Sequence, residues 1–201
     1  MPRLRRILRL LAVAIVVVLV AAPSLAAATG GPDGPPVAPR PAGETLVVLL
    51  RHAEKTGKHP LSELSAPGRR RAEALIPLLV PYRPAALYAS DRKRTQQTLA
   101  PLARRLGLAV EIRPLGAEEA LAGEILVEHR GTTVVVCGHS DSLAQIASDL
   151  GYPGTFPPVE GFDRLWIVRI PADEAPPTLE ERPQPLVPRR PPDPHATCGR
   201  D

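Results

Sequence analysis

Two histidines and two arginines could do chemistry together in this chain of 201 residues. Arg51-His52-Ala53-Glu54 follows the apolar run TLVVLL, residues 45–50, and Gly138-His139-Ser140 follows TVVVC, residues 133–137. Between them, Ser90 through Thr95 (SDRKRT, with Arg94) follows a third run, ALYA, residues 86–89. Short Val- and Leu-rich runs bounded by polar residues read as buried parallel strands. Ligands of open α/β sheets bind at the carboxyl ends of such strands. Imidazoles and guanidiniums gathered there suit a phosphoryl group, whose oxygens take paired, charge-assisted hydrogen bonds.

The elements that must position these residues alternate. Apolar spacing predicts helices over residues 67–80, 91–107, 118–129 and 142–150, and a late strand over residues 165–170. Gly107 is placed to stop the second helix, and Pro101 inside it predicts a kink or a break. The fold class is therefore α/β: a single-domain, doubly wound, mostly parallel sheet with helices on both faces. Only 3% of the residues are aromatic, so its core must be built from Leu, Val, Ile and Ala.

Composition divides the chain. Residues 1–28 carry Arg3, Arg5, Arg6 and Arg9 ahead of an uncharged apolar stretch and small residues, the layout of a secretory signal peptide. Retained instead of cleaved, that stretch would act as an N-terminal membrane anchor, the one route to a membrane partner. Residues 29–43 read as a Gly/Pro-rich linker, residues 44–171 as the domain, and residues 172–201 as a Pro-rich disordered tail. The whole chain has 25 Lys and Arg against 21 Asp and Glu, and four of those Arg leave with the signal. A balanced mature protein offers no footprint for nucleic acid. The expected location is periplasmic or extracellular. Cys137 in a strand and Cys198 in the tail are not expected to pair. His59, His129 and His195 read as solvent-facing, and Arg69-Arg70-Arg71 as an exposed helix start.

Arg51-His52-Ala53-Glu54, Ser90-x-x-x-Arg94-Thr95-x-x-Thr98 and Gly138-His139-Ser140 together resemble the three motifs of the histidine phosphatase (phosphoglycerate mutase-like) superfamily. The resemblance implies a metal-independent phosphoric monoester hydrolase that needs no cofactor and acts through a phosphohistidine. His52 is then the nucleophile, because a neutral imidazole attacks phosphorus near neutral pH. Arg51, Arg94 and His139 bind the phosphate, with His139, protonated beside a dianion, as a further donor. A carboxylic acid should protonate the leaving oxygen, and Glu118, Glu119 and Asp141 are candidates, Glu118 foremost. Two departures stand out: Ala53 replaces the commoner Gly, and the Trp-Glu-Gly context of mutase-like members is missing around Glu118. The partner is a phosphorylated small molecule or a phosphoprotein, which leaves a protein phosphohistidine phosphatase as an alternative. A phosphate-binding signalling module that lacks turnover is a second. A serine hydrolase using Ser140 is a remote third, since His195 is the one histidine after it.

Overall fold

The structure, a computed structural model, describes residues 40–184. The proposed signal segment, most of the linker, Cys198, His195 and the end of the tail lie outside them. Strand β1 (Thr45–Arg51) is followed by helix α1 (Ala66–Leu79) and a short 3-10 turn (Val80–Tyr82). Next come β2 (Ala86–Ser90), α2 (Lys93–Leu106), β3 (Val110–Arg113), α3 (Glu118–Glu128) and β4 (Thr133–Gly138). Helix α4 (Ser142–Asp149), β5 (Arg164–Ile170) and β6 (Thr178–Pro183) complete the order. One six-stranded sheet has the order β3-β2-β4-β1-β5-β6. The β3, β2, β4 and β1 strands pair in parallel, and the β1–β5 and β5–β6 pairs are antiparallel.

Strand side chains alternate between faces, so β1 feeds two cores. Leu46, Val48 and Leu50 pack with Leu75 and Leu79 of α1 and Leu99 and Leu102 of α2. Val47 and Leu49 pack on the opposite face with Leu121 and Ile125 of α3, Leu143 and Ile146 of α4, and Trp166. Fully burying one such side chain contributes roughly 1.5–3 kcal/mol, which is why these uninterrupted apolar runs must sit at the centre of the sheet. Among the described residues, no helix is long and apolar enough to cross a membrane.

Three expectations need correction. Helix α2 continues through Pro101 without a break: Pro101 is buried beside Leu99 and Leu102, and packing of that face outweighs one missing backbone donor. Gly107 does end it, at φ 69°. Strand β3 was too short and too polar to stand out, since its Glu111 and Ile112 are exposed at the sheet edge. Part of the segment expected to be disordered from residue 172 is a strand instead: β6 pairs along β5 from Arg169↔Thr178 to Arg164↔Pro183. Ion pairs Arg169–Glu180 and Arg164–Glu181 join the two strands, and Gln184 is buried with its N–H on Asp163 O at 2.7 Å. A charged edge strand needs hydrogen-bond partners on one side only, so low hydropathy did not prevent it from forming. At the other end of the domain, Arg40 in the expected linker already bonds Thr133 Oγ1 and Gly131 O.

Candidate active site

Strand register brings the three motifs together. Arg51 stands opposite Gly138 in the β1–β4 pair, and Ala89 opposite Cys137 in the β2–β4 pair. His52 and His139 therefore leave the sheet at one level, and Ser90, the last residue of β2, stands one residue earlier, level with Gly138. The His52 N–H continues the ladder to Gly138 O at 3.0 Å. The His52 and His139 rings meet edge to face, with centroids 5.3 Å apart.

His52 is held in one tautomer. Its Nδ1–H donates to Ala53 O at 2.7 Å, which leaves the lone pair on Nε2. Burial pushes its pKa down from 6.5 to about 4, and Arg94, His139 and Arg51 add to that shift against the opposing Ala53 bond. The ring is thus neutral at pH 7. Ala53 N–H donates to Thr98 Oγ1, which donates in turn to Arg94 O, so the His52 loop is tied to the helix that carries Arg94. The Ala53 methyl is buried with Leu64 and Ala72 at an ordinary negative φ, so it fills a small apolar pocket.

Glu54 braces the same loop. Arg71, expected to be exposed, is buried and grips the Glu54 carboxylate through Nε and Nη2 at 2.6–3.1 Å. Burial alone would raise that carboxyl; the Arg71 bond and charge hold it below the ordinary value. Ser65 caps α1 by accepting from Gly68 N–H and donates its hydroxyl to Glu54 O. Gly68 is required there, because a Cβ would stand 2.1 Å from Glu54 O.

His139 is oriented from both sides. Arg94 Nη2 donates to Nδ1 at 3.3 Å, so Nε2 carries the proton and donates to Ser90 Oγ at 2.9 Å. Ser90 then donates to Thr95 Oγ1 at 2.9 Å, and Thr95 donates to Arg92 O at 2.7 Å. In this arrangement His139 is neutral. Burial and the charge of Arg94 lower its pKa from 6.5 to about 4. Arg94 also donates Nη1 to Pro60 O, which anchors the loop before α1. The Arg51 guanidinium lies 4.5 Å from the Phe162 ring centroid and donates to Gly161 O, which gives it a flat platform. The Nε atoms of Arg51 and Arg94 are buried without a hydrogen-bond partner among the described residues.

Residues 47–119 match the histidine phosphatase superfamily (branch 1). That match takes in Arg51, His52 and Arg94 and stops short of His139. An 8-oxo-(d)GTP phosphatase of Mycolicibacterium smegmatis is 35% identical over 91 residues, which cover 42% of this chain and 28% of that relative. The match therefore spans little more than a quarter of the relative's length. The protein histidine phosphatase SixA complexed with tungstate superposes with a TM-score of 0.58 at 18% identity, over 69% of this chain and 97% of that one. A mycobacterial glucosyl-3-phosphoglycerate phosphatase gives 0.54 at 16% identity, over 69% and 97%. These structures share the fold.

Arg51, His52, Arg94 and His139 converge, and Glu118 does not join them by any hydrogen bond among the described residues. Glu118 opens α3, accepts from Gly116 N–H at 3.3 Å, and lines a cavity of about 30 Å³ with Ser90, Gly138 and Ser142. Glu119 is exposed on the same turn. Asp141 is exposed directly after the His139 turn, and its charge acts on Arg51, Arg94 and His139. Ser140 is exposed, and both nitrogens of the adjacent His139 are committed to Arg94 and Ser90, so no triad forms among the described residues. Sequence reasoning assigned no role to Ser90, Thr95, Thr98, Arg71 or Phe162. The first three lie inside the quoted motif as hydroxyls, Ser90 at the end of β2 and Thr95 and Thr98 one turn apart on α2, a signal for hydrogen bonding across the strand ends. His129, expected in solvent, is half-buried and bonds Tyr88 Oη at 2.8 Å, well away from this cluster.

Proposed function

We propose that the protein is a phosphatase that moves the phosphoryl group of a phosphomonoester to His52 Nε2 and then to water. The observation that carries this reading is the His52 ring: buried, neutral at pH 7, its Nδ1–H spent on Ala53 O, and its free Nε2 among two arginines and a second imidazole. In the first step Nε2 forms a bond to phosphorus as the ester P–O bond breaks. In the second, water attacks phosphorus, the N–P bond breaks and phosphate departs. Charge spreads over three oxygens in each transition state, so positioned cations do most of the catalytic work. Arg51 and Arg94 bind those oxygens with planar forks that remain charged. Their own charge compensates the phosphoryl oxygens, so the reading is metal-independent. Export to the periplasm or beyond belongs to the same reading and rests on the layout of residues 1–28.

The test is a panel of phosphomonoesters assayed with chelator present, on wild type and His52→Ala. Turnover that survives chelation, with acid-labile phosphate trapped on wild type and absent from His52→Ala, supports the reading. Phosphate bound without turnover would leave a binding module. Arg94→Ala should lose about 10²–10³ in rate, the scale of one deleted transition-state donor.

A further inference from the structure

We infer that His139 carries the proton of the reaction: an incoming phosphoryl anion takes up a proton on His139 Nδ1, and that proton passes to the leaving oxygen. This rests on the phosphatase reading above. Three features of the site support it.

The first is the direction of the hydrogen bonds. A guanidinium can only donate, so Nδ1 must offer a lone pair to Arg94 Nη2. The proton of a neutral ring then lies on Nε2, toward Ser90 Oγ. Ser90 passes its own proton to Thr95, whose hydroxyl is spent on Arg92 O, so the chain runs one way and locks the tautomer. An oxyanion that draws Arg94 to itself would face a bare Nδ1 lone pair. Two acceptors in that position repel until one of them gains a proton.

The second is charge. The groups facing His139 are Arg94 and Arg92 from the start of α2, Asp91 from the turn before it, Asp141 from its own turn, and His52 from the end of β1. Burial and Arg94 suppress protonation, Asp141 opposes them, and Arg92 and Asp91 act with smaller and opposite effects. A dianion held by Arg94 reverses the sign of the dominant field, and imidazole is poised to respond near neutral pH.

The third is the position of the carboxylates. Glu118 is bonded to Gly116 N–H beside the cavity below Ser90, whereas the His139 ring lies against the nucleophile. The balance then closes without a carboxylate. His52 Nε2 bonds to phosphorus, the ester P–O bond breaks, and the leaving oxygen takes the Nδ1 proton and departs as the alcohol. Water next attacks phosphorus and gives its proton to Nδ1, His52 recovers its lone pair, and phosphate and the proton return to solvent. Ser90 acts as a positioning residue that keeps Nδ1 as the nitrogen that exchanges protons.

Titration calorimetry with sodium tungstate near neutral pH, in buffers of different ionisation enthalpy, tests this on the intact protein. Tungstate is a dianion there and brings no proton of its own. Wild type should take up close to one proton per anion and bind about tenfold more weakly per pH unit as the pH rises. Nitrogen NMR of wild type should show an Nε2–H tautomer for His139 that becomes doubly protonated on binding. His139→Gln should abolish the uptake, and His52→Gln should keep it. Ser90→Ala should weaken the tautomer preference, with Ser90→Thr restoring it. Tungstate bound without proton uptake, or uptake that survives in His139→Gln and vanishes in His52→Gln, overturns the inference and leaves the phosphatase reading standing. If tungstate does not bind and no phosphomonoester turns over, the phosphatase reading itself fails. In turnover, His139→Gln should damage alkyl phosphates far more than nitrophenyl phosphate, whose leaving group needs little protonation. A selective loss that falls on Glu118→Gln or Asp141→Asn would instead return the proton to a carboxylate.

Discussion

Replacing Arg71 by Met keeps most of its length and removes its charge, which isolates the brace beneath the His52 loop. Arg71 and Glu54 meet through three contacts of 2.6–3.1 Å, with the side chains 9% and 26% exposed. Removing one partner of a fully buried pair costs about 3–5 kcal/mol, chiefly because the other charge is stranded. A quarter of Glu54 reaches water, so the stranded carboxylate is partly resolvated and about 2–3 kcal/mol is the expected loss. For a domain of this size that lowers Tm by roughly 4–10 °C. The sign of the pH dependence follows from the depressed Glu54 pKa. Its contribution is present above the unfolded carboxyl value of 4.5 and disappears as pH falls through the folded value. The gap between wild type and Arg71→Met should therefore be largest near neutrality and close in acid. Urea or thermal unfolding at several pH values measures it. Adding Glu54→Gln to Arg71→Met should restore part of the stability, since no charge is then left unpaired. Turnover should fall more than stability suggests, because a displacement near 1 Å at the reacting group is worth about 10²-fold. Equal Tm at neutral pH, or a gap that persists unchanged in acid, would refute the brace.

Three further outcomes follow from the same geometry. In the free protein both His52 and His139 should titrate near pH 4 by nitrogen NMR; midpoints near 6.5 would show that burial does not govern the site. Since the folded rings hold their protons more weakly than unfolded ones, the same two groups should destabilise the fold as pH drops from 6.5 toward 4. Gly68→Ala places a Cβ 2.1 Å from Glu54 O, so α1 or the Glu54 loop must move; overpacking of this kind costs about 1–3 kcal/mol, and unchanged stability by urea unfolding would contradict it. Ser140→Ala should leave phosphatase kcat/KM within about threefold of wild type, a change below 1 kcal/mol, whereas a Ser140 nucleophile would make the variant inactive.

Much of the architecture was legible in the chain because its centre is extreme. All seven residues of β1 except Arg51 are buried, as is every residue of β4, so their apolar runs had one structural meaning. The helices were marked by spacing and by Gly107. The sheet edges were not legible. Strand β6 is charged, and β3 is four residues long with an exposed centre, so neither needed an apolar signature to pair. Pro101 misled for a related reason, since a local penalty of roughly 3 kcal/mol is overridden when the surrounding face is buried.

What the sequence alone determined was the inventory and the order: two histidines and two arginines at the ends of apolar runs, in motifs whose residue types suit a phosphoryl group. Those follow from composition and spacing, which act over a few residues. Only the tertiary structure decided the protonation pattern. Register set His52 beside His139, Ala53 O selected the tautomer of the first ring, and Arg94 with Ser90 that of the second. It also separated Arg71 from its exposed neighbours and Glu118 from the cluster. Burial and hydrogen-bond direction arise between segments distant in sequence, and they exist only after the sheet has brought those segments within a few ångströms.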